Sequence, residues 1–193
     1  FRLMLQASEY LFFDKLLPLI SFHVGSYNLG LILLPAVGGL IVGPLIYRFA
    51  REAKGHGVPE VIEAVHRKQG LIRPVVALVK ILASSVTIGS GGSAGREGPI
   101  AQIGAVFGSL VGRLAFASPQ HRKLLVSCGV AAGISATFHA PLGGAVFAME
   151  VISVQTGLVS AIPVLVAAVI GDVVMAGFFG FEPAFAAPAY TFS

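Results

Sequence analysis

The sequence predicts an all-α membrane protein, a multi-helix bundle with broken and short re-entrant helices that forms one half of an inverted repeat. Three observations carry this. The 193 residues are 55% hydrophobic and only 11% charged, with a mean hydropathy of +0.87, far above a soluble globular domain of ordinary composition. Uncharged runs from Leu16 to Tyr47, Leu124 to Met149 and Val151 to Gly171 match or exceed the ~20 residues that cross a bilayer core. The 24 glycines and 11 prolines interrupt these runs often, which helices in lipid tolerate when neighbouring helices or water satisfy the freed backbone groups.

Taken in order, Phe1 to Ile20 reads as an apolar helix that opens with some charge, and Leu31 to Ala50 as a second that ends in the basic group Arg48, Arg51 and Lys54. The stretch "GHGVPEVIEAVHRKQG", residues 55 to 70, begins with a Gly-His-Gly turn and places Pro59 in a first helical turn, where its missing N–H costs nothing. That helix ends by Gly70 and is too short to span. Ile72 to Ile88 is the next apolar segment, with a lone Lys80, and it runs into "GSGGSAGREGP" at 89 to 99. Pro99 starts a helix from Ile100 to about Gly112, roughly 20 Å long and short of the ~30 Å core. Two short helices, each introduced by Gly-rich backbone and a proline, mark discontinuous helices whose N-termini meet at membrane depth. Arg113 to Lys123 reads as a polar loop, Leu124 to Ala136 as a helix, "FHAPLGG" as a break, and a short segment closes at Glu150. Ala161 to Phe179 makes a final helix, and the proline-rich "FEPAFAAPAYTFS" reads as an aqueous loop. The "GREGP" pattern does not repeat, so an inverted repeat would be present here as one half only.

Charge and cysteine usage exclude several classes. The net charge is +4, and Arg48, Arg51, Lys54, Arg67, Lys68 and Arg73 flank the uncharged runs as cytoplasmic loops do, which implies a multi-pass protein of the cell (inner) membrane. These basic residues are not interleaved with aromatics on one face, so no nucleic-acid partner is expected. A single Cys128 rules out an intrachain disulfide, and no Cys/His cluster has metal-ligand spacing, so no metal or other cofactor is expected. The chain starts at Phe1 without a signal-peptide pattern and reads as a fragment. Gly89, Gly91 and Ala94 satisfy G-x-G-x-x-A after a β-branched run, but the acidic residue needed about 20 positions on is missing, the next one after Glu97 being Glu150. The nucleotide-binding reading fails, and no catalytic residues are assigned.

What remains is an anion site. Helix N-termini expose unpaired N–H groups and carry about half a positive charge, so two of them converging in a low-dielectric setting bind an anion without a fixed cation. A permeating anion must shed water yet leave quickly, and partial charges serve that better than a buried ammonium. Glycines taken alone favour the plainer interpretation, close helix packing. Glu97 tips the balance: a carboxylate at membrane depth is costly, and this one sits at the N-terminus that would attract an anion, where it competes for the anion's place until protonated. The opposing interpretation makes Arg96 and Glu97 a surface ion pair in a loop.

These residues resemble the CLC family of voltage-gated-type chloride channels and proton/chloride antiporters. "GREGP" at 95 to 99 is that family's gating-glutamate motif in its usual form. "GHGVPE" at 55 to 60 resembles its first anion-site motif, ordinarily Gly-Ser-Gly-Ile-Pro, and "FHAPLGGAVFAMEV" at 138 to 151 resembles the Phe-Asn-Ala-Pro-Leu segment that follows. Lys80 stands where the family often keeps a basic residue in the helix before the gate. The resemblance implies that residues 1–193 are the N-terminal half of a transmembrane anion-transport domain, working in the lipid bilayer with a second half beyond Ser193 and as a homodimer. It implies transport of chloride or a similar anion rather than an enzymatic reaction, with Glu97 as gate and proton acceptor and with His56, Gly57, Val58, Arg96, Glu97 and Gly98 at the anion. Two departures stand out. His56 replaces the serine whose hydroxyl normally touches the anion, and Val151 stands where exchangers carry a proton-relay glutamate, Glu150 being one residue earlier. The expectation is therefore a pore weakly or not coupled to protons; the alternatives are a proton-coupled antiporter and a non-transporting membrane assembly or regulatory fragment.

Overall fold

The computed structural model describes residues 1–20, 23–24, 27–152 and 158–180. The chain opens with α1 (Arg2–Glu9), a π-helical stretch Tyr10–Leu16 and α2 (Leu17–Ile20), which together form the first apolar helix read from sequence. A short antiparallel pair follows, β1 (His23–Val24) with β2 (Tyr27–Asn28), so the uncharged run from Leu16 to Tyr47 is divided rather than continuous. α3 (Gly30–Phe49) comes next, then a 3-10 turn Arg51–Ala53, α4 (Val58–Arg67), α5 (Val75–Gly89), α6 (Glu97–Leu114), α7 (Pro119–Phe138), α8 (Pro141–Phe147) continued by a π-helical segment Ala148–Ile152, and α9 (Leu158–Phe179). Apart from that two-residue ladder the described regular structure is helical. The tail from residue 181 lies outside the described residues.

Several boundaries differ from the sequence reading: α8 begins at Pro141, inside the "FHAPLGG" stretch read as a break, and α9 begins at Leu158 rather than Ala161. α7 begins at Pro119, inside the stretch read as a polar loop, because Ser118 caps it and accepts from the His121 N–H while Pro119 takes the first helical position. The polar residues of 119–123 are its solvent-facing first turn. α6 begins at Glu97, not at Ile100, and runs 18 residues, about 27 Å at 1.5 Å each, so it is not a short helix. Pro99 sits in its first turn, where no N–H is needed.

α7 lies at the centre, against α6, α8 and α9. Its closest neighbour is α6, and small residues make that approach possible. Gly104 and Gly108 face Gly129 so closely that a Cβ on any of them would run into the other helix's backbone. These are small-xxx-small stripes of the membrane kind, in which close van der Waals packing replaces the hydrophobic effect. Val61 and Val65 from α4, Ala101 and Ala105 from α6, Val126 and Val130 from α7, and Val164 and Ala168 from α9 fill the core they enclose. Ser109 ties the α4–α5 link to α6: its hydroxyl donates to the Gly70 carbonyl at 2.6 Å and accepts from the Ile72 N–H at 3.0 Å.

Gly30–Phe49 and Val159–Phe179 are long and apolar enough to cross a membrane by length and composition, with mean hydropathies of 2.0 and 2.3. Their outward faces carry exposed apolar side chains such as Leu40, Ile32, Val159 and Val173. A soluble protein does not leave faces of this kind in water, whereas hydrocarbon suits them.

Candidate anion site

The turn between α3 and α4 is built from backbone that only glycine adopts freely. Gly55 and Gly57 have φ of +77° and +106°, and Gly57 is the residue that leads into α4. Two buried side chains hold this turn from behind. Lys80 of α5, 2% exposed, donates from Nζ to the Gly55 carbonyl at 2.7 Å and to the Ala53 carbonyl at 3.2 Å. Gln102 of α6, 1% exposed, donates from Nε2 to the Glu52 carbonyl at 2.7 Å. An ammonium on two carbonyls is a charge-assisted contact and anchors the chain strongly where no water competes. Below the turn, Arg73 grips Glu52 with two hydrogen bonds of 2.9 and 2.7 Å, and that guanidinium holds the Glu52 carboxyl below its ordinary value.

The second half of the site is the start of α6. Gly98 is buried against the turn: a Cβ built there would overlap the His56 carbonyl and stand 2.6 Å from His56 Nδ1. From the other side, a Cβ on Gly57 would stand 2.9 Å from the Gly98 carbonyl. The starts of α4 and α6 therefore touch, and the sequence-derived residues His56, Gly57, Val58, Glu97 and Gly98 come together. Arg96 is next to them but its side chain lines a separate cavity against α1.

Glu97 is the first residue of α6, and its exposed side chain folds back over the preceding loop, where its carboxylate occupies the place a Cβ on Gly95 would take. Among the described residues Arg96 and Glu97, both exposed, form no ion pair with each other. The first N–H groups of each helix have no partner within their own helix, and Pro59 and Pro99 contribute none. The starts of two helices thus meet, with an acidic side chain at the first position of one of them.

The roles of Gln102 and of the Lys80 ammonium on the turn were not read from sequence. A lone lysine in an apolar helix was the available signal for Lys80, since a buried ammonium must find acceptors. Nothing local marks Gln102. Val151 and Glu150 lie in the π-helical segment after α8, both exposed, with Val151 37% exposed.

Comparison with known proteins places these features in a family. A family profile described as "Voltage gated chloride channel" matches residues 38–193. The voltage-gated ClC-type chloride channel ClcB of Yersinia pestis is 37% identical over 139 residues, covering 71% of this chain and 33% of that protein. The H(+)/Cl(-) exchange transporter ClcA of Klebsiella pneumoniae is 40% identical over 111 residues, covering 55% of this chain and 23% of that protein. The crystal structure of a slow cyanobacterial Cl-/H+ antiporter superposes with a TM-score of 0.71 at 25% identity, over 94% of this chain and 42% of that one. The chain spans about a third of the length of the curated relatives it matches, from 23% to 38% of each.

Proposed function

The chain belongs to the voltage-gated chloride channel family, and from that premise we propose that it is the N-terminal half of a domain that carries chloride or a similar small anion across a membrane past Glu97. The observation that supports the proposal is the contact of His56 with Gly98, which brings the positive N-terminal ends of α4 and α6 together. Glu97 sits at the first position of α6 and competes with the anion when ionised. The backbone of His56, Gly57, Val58 and Gly98 contacts the anion, Arg96 flanks it, and Lys80 and Gln102 hold the turn without touching it. The working unit includes a second half of the domain, pairs as a homodimer and lies in the cell (inner) membrane. The protein is a transporter and not an enzyme, and it requires no cofactor.

Transport is weakly or not coupled to protons in this reading, because Val151 offers no proton acceptor where a relay carboxylate is expected. The names of the exchanger from Klebsiella and of the cyanobacterial antiporter favour a second reading, chloride/proton exchange. Efflux from liposomes loaded with chloride and holding the full-length protein decides both points. Chloride efflux without stoichiometric proton uptake is expected; a folded protein that passes no anion refutes the function, and uphill proton movement driven by a chloride gradient refutes the uncoupled form.

A further inference from the structure

The turn that joins α6 to α7 carries a large apolar side chain that the bundle does not use. α6 closes on two backbone hydrogen bonds, the Ala117 N–H to the Gly112 carbonyl at 2.9 Å and the Phe116 N–H to the Arg113 carbonyl at 3.1 Å. This pairing ends a helix with one residue in left-handed backbone, a place that glycine usually takes. Here the residue is Phe116, with φ of +49°, and it is 94% exposed. A bulky residue at positive φ is strained, and a ring held out in water loses the burial that would offset the strain. Leu114 is 71% exposed, so the tip of the turn is apolar.

Cations surround this tip. Arg113 precedes it on α6, and Arg122 and Lys123 follow in α7, where a Cβ on Gly112 would stand 2.9 Å from Arg122 Cγ. Arg122 donates from Nε to the Gln69 carbonyl at 2.8 Å, which fixes its guanidinium and leaves the two terminal nitrogens for a further acceptor. Gly70 packs on the backbone of Arg122 and Lys123, so the end of α4, with Arg67 and Lys68, lies at the same end of the bundle. The carboxylates of Glu63 and Glu52 are engaged elsewhere, with Lys68 at 3.2 Å and with Arg73 at 2.7 Å. Among the described residues Arg67, Arg113, Arg122 and Lys123 have no acidic partner.

We propose that this turn binds an anionic phospholipid, with Phe116 and Leu114 among the acyl chains and Arg113, Arg122 and Lys123 on the headgroup phosphate. The basic end of a membrane bundle faces the cytoplasm, and the cytoplasmic leaflet carries the anionic lipids. Charge decides among the surfaces that could cover the tip. The second half of the domain, or another copy of the chain, would have to bury three cations along with the ring, at a desolvation cost that only matched carboxylates offset. A lipid covers the ring with hydrocarbon and leaves the cations in the wet headgroup layer, where phosphate oxygens suit the planar fork of arginine. The inference rests on the chain's place in a membrane bundle and not on the path of the anion.

Full-length protein in vesicles of phosphatidylcholine with a minority of phosphatidylglycerol tests it through Phe116→Trp. The tryptophan emission gained over the wild type is read with bromine on the acyl chains of one lipid and then of the other. Per mole of brominated lipid, phosphatidylglycerol is expected to quench about threefold more than phosphatidylcholine. Arg113→Gln combined with Lys123→Gln should bring that ratio close to one, as should salt at about 1 M, where the Debye length is ~3 Å. Arg122 stays in place because it also ties α7 to Gln69. Equal quenching by the two lipids overturns the inference, as does a preference that survives the substitutions, and the salt series decides if the double variant does not fold. Emission quenched by neither lipid means that protein covers Phe116, the second half or another copy, and overturns it too. Absence of chloride efflux from the wild type, with the lipid preference intact, overturns the proposed function and leaves this inference standing.

Discussion

The backbone carbonyl of His56 lies against Gly98, so closely that any side chain at position 98 would have to displace the turn that begins α4. The clashing atom is backbone, held from behind by the Lys80 ammonium on Gly55 and by the Gln102 amide on Glu52, and cannot rotate away. Gly98→Ala is therefore expected to cost about 1–3 kcal/mol of stability, as overpacking does, and to separate the two helix starts. Chloride titration by calorimetry should show affinity reduced by about tenfold or more, equivalent to ~1.4 kcal/mol. Unchanged affinity in a folded variant would mean that the contact does not shape the site.

Glu97→Gln imitates the protonated carboxyl at nearly the same volume. Loss of the ionised competitor at the first position of α6 should leave the path open at all pH values, so chloride efflux should lose most of its pH dependence while chloride still binds. Only a contribution of His56 should remain. Efflux that stays as steep in pH as in the wild type would remove Glu97 as the main sensor.

Lys80 acts through the turn and not on the anion. Its replacement by Met keeps the apolar stem in α5 but leaves the Gly55 and Ala53 carbonyls without their charged donor, a loss of about 1.5–3 kcal/mol for a buried hydrogen bond to a charge. The expected result is a lower melting temperature together with weakened chloride binding. A drop in stability with chloride affinity within about twofold of wild type, ~0.4 kcal/mol, would confine Lys80 to a structural role.

Much of this site was legible because its chemistry is local. Gly-rich backbone followed by proline marks a helix start wherever it occurs, and "GHGVPE" and "GREGP" located α4 and α6 on that ground alone. Their convergence, expected from the motifs, appears as the contact between His56 and Gly98. The start of α7 was missed because polar residues on the exposed first turn of a helix look like a loop, and Ser118–Pro119, the true signal, was outweighed by composition. The tie between Gln102 and Glu52 spans fifty positions in the chain, and no periodicity or motif encodes it. His139 was read within its motif, but its hydrogen bond with Asp172, 33 residues on, was not.

Glu52 and Arg73 supply a pH effect outside the membrane-spanning helices. Hydrogen bonding to the Arg73 guanidinium lowers the Glu52 pKa from its ordinary 4.5, so its folded value lies below its unfolded one. Stability from the pair is then fully present above the unfolded value and is lost as pH falls through the lower folded value. Both side chains are partly exposed, Glu52 at 39% and Arg73 at 58%, and water screens them, so the effect is small. The wild type should melt slightly above Glu52→Gln at neutral pH, and its melting temperature should fall more steeply below about pH 4.5, so that the difference closes as pH falls. Identical slopes would show that the bidentate contact contributes nothing to stability.

His56 provides the last prediction, and its geometry bears on it directly. The residue is exposed, yet its Nδ1 stands 2.6 Å from the Cβ position of Gly98, so the ring lies over the start of α6. Serine in its place would offer an anion one compact hydroxyl. Imidazole is larger, donates from one nitrogen when neutral and from both when charged, and changes charge in the physiological range. A ring that adds a full positive charge beside two helix ends should hold an anion more tightly as pH falls, and its bulk should alter which anions fit. His56→Ser is therefore expected to change the chloride-to-nitrate preference and to abolish a step in chloride affinity between about pH 5 and 8, measured by calorimetry on a Glu97→Gln background. If selectivity and affinity across that range are the same with serine as with histidine, the anion meets only backbone N–H groups at this turn and the ring is a bystander on its surface.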